Sequence, residues 1–121
     1  MTATTREDTP VAIEGGGVEL RTREIGGDMS VAFVRFPAGT DMGPALKGLR
    51  PDGLCPCPHW GHLVKGRLKM RTPDGDEIYE AGQVFYWPPG HTPVALEDCE
   101  YIDFSPTEAF TEVIDHIKGQ G

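Results

Sequence analysis

The chain has 121 residues, of which 38% are hydrophobic and 25% are charged. This fits one globular domain, because two domains of this total length would each be too small to bury a good core. The formal net charge is −8, which argues against nucleic-acid binding, since phosphate recognition needs clustered Lys and Arg. No apolar run is long enough to span a membrane, and Met1–Pro10 has no signal-peptide core, so we expect a cytoplasmic protein without membrane contact.

The counts of three residue types narrow the fold class. Sixteen Gly and eleven Pro are spread along the chain, which favours many short strands and tight turns over long helices. The three cysteines are an odd number in a chain expected to be intracellular, which argues against a disulfide framework.

A flexible segment and a β-hairpin are predicted first in chain order. Residues 1–10 are rich in Thr and are expected to be flexible. Val18–Ile25 and Met29–Phe36 have strand character and flank the turn sequence Gly26-Gly27-Asp28. The irregular stretch Pro37–Asp52 is either a cover for a pocket or a simple surface loop.

Six further short strands are predicted after this loop. They are Leu54–Val64, Arg67–Thr72, Glu77–Glu80, Gln83–Trp87, Thr92–Leu96 and Glu100–Phe104. Turn sequences such as Pro73-Asp74-Gly75-Asp76 separate them. Evenly spaced short strands of this kind predict an all-β sandwich or closed barrel over residues 11–105.

One amphipathic helix is predicted at the end of the chain, in the unit 106–121. Ser105-Pro106-Thr107-Glu108 has the sequence of a capping box with Ser105 as N-cap, which predicts a helix over residues 106–118. Its apolar residues recur at helical spacing and are Phe110, Val113, Ile114 and Ile117. This stripe either packs on the barrel or forms a two-fold interface, and we expect a homodimer.

Side chains that bind metals concentrate between residues 55 and 91, which hold three of the four His and two of the three Cys. Thiolates and imidazoles are ligands of zinc and iron. Cys57 and His59 are two residues apart on one strand face, so they can bind one ion together. Cys55 would lie about 13 Å from His59 on a straight strand and could join only if the chain bends, as Pro56 and Pro58 allow.

His91 completes the candidate metal site. The predicted ligands are Cys57, His59 and His91, with Cys55 as a conditional fourth, and the predicted cofactor is a divalent transition metal, zinc or iron. The alternative is that these side chains are structural, because cysteine is often a small buried hydrophobe. Cys99, which is far from the cluster, is expected to be a buried residue of that kind.

A pocket for a small molecule is predicted beside this cluster. Its candidate residues are Trp60, His62, Tyr86, Tyr101 and Asp103. Large aromatic residues line apolar pockets, although they also fill small barrels. Asp103 and Asp41 are the acids considered as a general base, and no catalytic residue is assigned.

The glycines and prolines of this region follow a recognisable spacing, in which Gly82, five residues, Pro88, one residue and Gly90 come after Gly66. With this spacing the region resembles the cupin superfamily, since Gly82, Pro88 and Gly90 match the framework of the second cupin motif and Gly66 matches the last Gly of the first motif. The stretches Cys-Pro-His-Trp-Gly and Trp-Pro-Pro-Gly-His-Thr are similar to those of small single-domain bacterial cupins. The resemblance implies a cupin-type double-stranded β-helix, or jelly-roll barrel, with one C-terminal helix.

The four usual ligand positions of the family differ in this chain. Gly53 and Cys55 stand where the family has two His, and His59 stands where it has Glu. Pro93 occupies the last His position, with His91 two residues before it. We therefore expect either a metal-dependent enzyme on a small molecule, such as an isomerase, lyase or oxygenase, or a binding module without turnover, or a barrel without metal.

Overall fold

A computed structural model of the protein describes residues 1–49 and 52–119. The strands are β1 (Val11–Gly15), β2 (Val18–Gly26), β3 (Met29–Phe36), β4 (His59–Lys65), β5 (Arg67–Thr72), β6 (Gly75–Glu80), β7 (Val84–Trp87), β8 (Thr92–Ala95) and β9 (Cys99–Pro106). The helices are α1 (Gly43–Leu46) and α2 (Thr107–Gly119). Residues 50 and 51 of the predicted loop 37–52, and residues 120 and 121 of the predicted unit 106–121, lie outside the described part of the chain.

The strands form two antiparallel sheets. One sheet has the order β1-β2-β3-β9-β4-β7 and the other has the order β6-β5-β8. The predicted hairpin of β2 and β3 is confirmed, and its turn places Asp28 in the left-handed region with φ of 60°. The β5–β6 hairpin pairs Thr72 with Gly75 around the predicted Pro-Asp turn. This arrangement is the jelly-roll barrel expected from the sequence.

Alternation along the strands builds the core. On β5, Leu68 and Met70 point inward and are at most 1% exposed, whereas Arg67 and Arg71 face outward. Leu63 on β4 and Trp87 on β7 are equally buried. Each such side chain contributes about 1.5–3 kcal/mol when it leaves water, so the alternating pattern fixes which face of each strand lines the interior.

Helix α2 closes one side of this interior. Phe110, Val113 and Ile114 are buried in the core cluster, so the apolar stripe packs on its own barrel. None of the helices in the described chain combines the length and the hydropathy needed to cross a bilayer.

The prediction that Ser105 caps α2 is wrong. Ser105 belongs to β9, which continues to Pro106, and its hydroxyl contacts His59 in the interior. The helix begins at Thr107, whose N–H donates to the carbonyl of Asp28 and whose hydroxyl bonds to that of Ser30. A strand that runs directly into a helix leaves its last inward side chain pointing into the barrel.

The N-terminal ten residues, for which we expected flexibility, lie along β2 in the structure. The Arg21 guanidinium donates to the carbonyls of Arg6, Glu7 and Thr9, and Thr9 is 1% exposed. This segment therefore covers part of the outer face of the six-stranded sheet.

Candidate functional site

Three metal-binding side chains converge inside the barrel. One donor atom from each of Cys55, His59 and His91 lies within 4.8 Å of the others, and all three residues are buried. His59 is the first, inward-facing residue of β4. Cys55 and His91 are held side by side by an isolated β-bridge, in which the Cys55 N–H donates to the His91 carbonyl at 2.8 Å.

A bend before β4 brings Cys55 to the site. The stretch from Pro56 to Pro58 is not part of a strand, because proline cannot donate to a sheet ladder. The Cys55 Sγ consequently lies 3.6 Å from the His59 Nε2. On a straight strand the Cα atoms of these two residues would be roughly 13 Å apart. Cys55, the conditional ligand of the sequence analysis, is thus a member of the cluster.

Cys57 lies beside this cluster but is not one of the three converging residues. Its side chain is fully buried, and its Sγ donates to the Pro58 carbonyl at 3.4 Å. The structure therefore groups His59 and His91 of the predicted set with Cys55.

Hydrogen bonds fix how the two imidazoles are oriented. The His91 Nδ1 carries the proton, because it bonds at 2.7 Å to the Pro88 carbonyl, which can only accept. The His59 Nδ1 bonds at 2.6 Å to the Ser105 hydroxyl. In both rings the Nε2 is then left for a metal, an arrangement typical of metal-binding histidines.

The protonation states of the cluster follow from its burial. Burial lowers the pKa of both His59 and His91, so both rings are neutral at pH 7, the form that ligates metals. Burial also raises the pKa of the Cys55 thiol to about 12. A metal ion would have to displace its proton.

Asp103 lies behind His59. It is 2% exposed, and its Oδ2 lies 3.4 Å from the His59 Nδ1. Burial raises the pKa of this carboxyl to about 8, so at pH 7 the pair consists of two largely neutral groups and is not an ion pair. The Asp103 Oδ1 has no hydrogen-bond partner within the described residues, which leaves a polar atom in the interior able to bond to a water or ligand.

The donor set fits a divalent transition metal. Metal–sulfur bonds of about 2.3 Å and metal–nitrogen bonds of about 2.0 Å at tetrahedral angles separate the donors by roughly 3.5 Å. The separation of 3.6 Å between the Cys55 Sγ and the His59 Nε2 is close to this value. One thiolate and two neutral imidazoles suit zinc or iron, so the cluster is a candidate metal-binding site.

A cavity of about 50 Å³ adjoins the cluster. Cys55, His59, His91, Tyr101 and Asp103 supply its polar side chains. Its remaining walls are largely apolar and come from β2, β3, α1 with the residue before it, β7, β8 and α2. On the α2 side, the ring of Phe110 meets His59 edge-on at a centroid distance of 5.8 Å.

The predicted pocket residues divide between the two faces of the sheet. Tyr101 and Asp103 line the cavity. Trp60, His62 and Tyr86 are exposed on the outer face, because they alternate with the inward residues of β4 and β7. The structure thus corrects the expectation that these three side chains line the pocket.

The two predicted general-base candidates also occupy different places. Asp103 is in the cavity, whereas Asp41 forms a part-exposed ion pair with Arg71 at 3.1 Å. Cys99 is buried, as expected, and its thiol donates to the Arg67 carbonyl.

Sequence reasoning missed Ser105 and Phe110 as neighbours of His59. The sequence pattern predicts a helix cap at Ser105 and places Phe110 only in an apolar stripe. The even spacing of Tyr101, Asp103 and Ser105 on one strand was the available signal, since it places all three on the face that lines the interior.

Comparisons with known proteins agree on the fold. No protein-family model matches the sequence, and no curated protein matches it significantly. An RmlC-like cupin from Shewanella frigidimarina is similar in structure, with a TM-score of 0.62 and 20% identity, over 85% of this chain and 88% of that one. KdgF from Halomonas sp. has a TM-score of 0.61 and 22% identity, over 84% of this chain and 90% of that one.

A longer protein contains a unit of similar fold. A variant of oxalate decarboxylase from Bacillus subtilis has a TM-score of 0.63 and 14% identity. The match covers 88% of this chain but only 29% of the decarboxylase. At these identities the likeness establishes the fold, which is the cupin-type jelly-roll barrel.

Proposed function

We propose that the protein binds zinc or iron through Cys55, His59 and His91 and uses the metal on a small molecule held in the adjacent cavity. The observation that carries this proposal is the convergence of three buried donors at the polar side of the cavity. The family resemblance points in the same direction, although the ligand positions of this chain are its own.

An open coordination position favours an enzyme over a structural metal site. Structural zinc sites have four protein ligands, whereas catalytic sites have three and keep one position for water or substrate. Three donors form the cluster within the described chain, and Cys57, which would close it, bonds to the Pro58 carbonyl instead. A bound metal would supply Lewis acidity at that position, which suits the isomerase, lyase and oxygenase classes.

The cavity favours a small ligand with one polar group. No Lys or Arg is among the described residues that line it. If a ligand carried an acidic group besides the one that binds the metal, the cavity walls would offer that group no positive charge. A cavity of about 150 Å³ holds benzene, and this one measures about 50 Å³. We therefore propose a ligand of a few non-hydrogen atoms whose single donor group reaches the metal and whose remainder is apolar.

The protein's own groups would position this ligand. Tyr101 and Asp103 face the cavity with neutral side chains, since burial raises the pKa of both. Each can donate a hydrogen bond to the polar group of the ligand. The apolar walls from α2 would exclude water from the same space.

A binding module without turnover is the second candidate. The small, mostly apolar cavity favours such a module, because a small enclosed space would retain a bound ligand and would not exchange it readily. The two candidates differ in whether an external ligand can reach the metal.

Cobalt(II) substitution tests the proposal. The metal-free protein should take up Co²⁺ with the intense near-ultraviolet absorption of a thiolate–cobalt bond, and azide should change its visible bands by occupying the open position. The Cys55→Ala variant should lack the thiolate absorption, and Cys57→Ala should keep it. A cobalt spectrum that azide leaves unchanged would support the closed module, and no cobalt uptake would reject metal binding.

A further inference from the structure

Phe110 on α2 stands between two spaces, one inside the barrel and one beside it. On its inner side lies the cavity of about 50 Å³ that adjoins the donor cluster. On its outer side lies a groove of about 230 Å³ at the seam between α2 and the strands β2 and β3. Ile114, which follows one helical turn later, lines both spaces as well. We call these two residues the α2 wall, because they separate the cavity from the groove.

The Phe110 ring is the part of the α2 wall that lies beside the candidate metal ligands. It meets the His59 ring edge-on at a centroid distance of 5.8 Å, and the His59 Nε2 is the atom that faces the Cys55 Sγ. Phe110 is 6% exposed, so its ring fills the space between the helix and the donor cluster. A ligand that lies in the cavity and extends from the cluster towards α2 would meet this ring.

The groove behind the α2 wall differs from the cavity in its chemistry. Apart from the α2 wall, it is lined by residues with hydroxyl groups or charges, namely Thr22, Arg23, Glu24, Ser30, Thr107 and Thr111. Arg23, Glu24 and Thr111 are exposed, so the groove opens to solvent. A ligand chain that passed the α2 wall would therefore leave an apolar enclosure and reach a wider, polar space.

Another wall of the cavity is less able to limit the ligand independently of the core and the metal site. Trp87 and His91 separate the cavity from a cleft beside the turn between β5 and β6. Trp87 stacks on Phe85 at a centroid distance of 3.6 Å and meets Tyr101 edge-on at 5.3 Å, and His91 is a candidate ligand. A substitution in the α2 wall, in contrast, changes the cavity without removing a donor.

We propose that Phe110 is the residue that limits the length of the ligand. The inference rests on the proposed function, since it requires a ligand bound at the metal. The ring ends the cavity on the α2 side, so the wild type accepts a ligand of a few non-hydrogen atoms and excludes a longer aliphatic chain by overlap with the ring. Shortening Phe110 joins the cavity to the groove and admits the longer chain.

Competition of straight-chain carboxylates with azide for the cobalt(II) protein tests this proposal. Acetate and hexanoate carry the same donor group, so the ratio of their dissociation constants reports chain length and cancels any change in the metal itself. In the wild type, hexanoate should bind more weakly than acetate by roughly tenfold or more, because a filled core resists overpacking. In Phe110→Ala the order should reverse, since each methylene that leaves water strengthens binding about fourfold.

Ile114→Ala and Val113→Ala are the matched pair for this experiment. Both residues are buried on α2 and line the cavity, but Ile114 also lines the groove and Val113 does not. Ile114→Ala should shift the ratio towards hexanoate, and Val113→Ala should keep the ratio of the wild type. Circular dichroism checks the fold of each variant, and Ile114→Ala decides the outcome if Phe110→Ala is unfolded.

The outcomes separate this inference from the proposed function. A cobalt protein that binds neither azide nor acetate would reject the open metal site, and the inference with it. If acetate binds but Phe110→Ala and Ile114→Ala keep the ratio of the wild type, the inference alone is overturned. A Val113→Ala protein that shifts the ratio as far as Ile114→Ala would overturn it in the same way, because cavity size and not the α2 wall would then set the limit.

Discussion

At the scale of single residues, the orientation of His59 decides whether the donor cluster can bind a metal. Its Nδ1 bonds to the Ser105 hydroxyl and its Nε2 points towards the Cys55 Sγ. Neighbours that hold a ligating imidazole in place typically contribute about 10–100-fold in metal affinity. Ser105 is therefore a positioning residue in this account.

Replacing Ser105 with Ala should weaken zinc binding about 10–100-fold. The ring would lose the partner that holds its Nδ1 and would sample orientations in which the Nε2 leaves the cluster. Competition with a chromophoric chelator measures the affinity.

Ser30→Ala is the control for this substitution. Ser30 is also buried, but its hydroxyl bonds to that of Thr107. Both variants should lose about 1 kcal/mol of stability, and only Ser105→Ala should change zinc affinity. Equal affinities in the two variants would remove Ser105 from the site.

The raised pKa of Cys55 predicts a specific pH dependence. Its thiol is protonated below a pKa of about 12, whereas the lowered pKa values of His59 and His91 leave both rings neutral at pH 7. Zinc binding should then release one proton, and the apparent affinity should rise about tenfold per pH unit from neutral to mildly alkaline pH.

Calorimetric titration in two buffers of different ionisation enthalpy measures the number of protons released. Release of two protons that falls to one in Cys57→Ala would indicate that Cys57, whose pKa burial also raises to about 12, binds the metal as well. Release of none would contradict ligation by Cys55.

At the scale of elements, β4 is held closely between β7 and β9. Gly61 lies on its inward face, paired with Phe85 and Asp103. A Cβ at this position would meet the carbonyl oxygen of Ile102, the Phe85 ring at 2.6 Å and the Asp103 Cβ at 2.8 Å. The glycine lets β9 approach closely enough to place Asp103 and Ser105 beside His59.

Gly61→Ala should lower the free energy of unfolding by about 3 kcal/mol, because the added methyl group forces a well-packed strand apart. Urea denaturation measures the change. Gly119→Ala is the control, since a Cβ there meets nothing within 4 Å, and its stability should be equal or slightly higher. A Gly61→Ala protein as stable as the wild type would contradict the close packing described for β4.

The strands β2 and β3 before the site and the strands after it were predictable from the sequence, whereas β1 was not among the predicted strands and the path of the chain at Cys55 was not predictable. Alternation on β5 and the turn residues between strands follow from local preferences, so they could be read directly. The approach of Cys55 to His59 depends on a bridge to His91, a residue 36 positions later in the numbering. Such a non-local pairing leaves no periodic signal.

At the scale of the whole molecule, the barrel and the final helix were predictable because several local signals agreed. Which side chains line the cavity and which lie on the surface was harder to predict from the sequence. Trp60 and Tyr86 are residue types that often line pockets. On their strands, however, the inward positions are taken by His59 and Trp87, which are buried, so Trp60 and Tyr86 face outward. The role of Ser105 was hidden by a sequence that also fits a helix cap.

The proposed function requires a metal held by the three converging residues. Elemental analysis of protein purified without a His-tag, for the wild type and the Cys55→Ala, His59→Ala and Cys57→Ala variants, tests this most directly. We predict close to one equivalent of zinc or iron in the wild type and in Cys57→Ala, and negligible metal in the other two variants. Equal, negligible metal in all four proteins, even after incubation with either ion, would contradict the account.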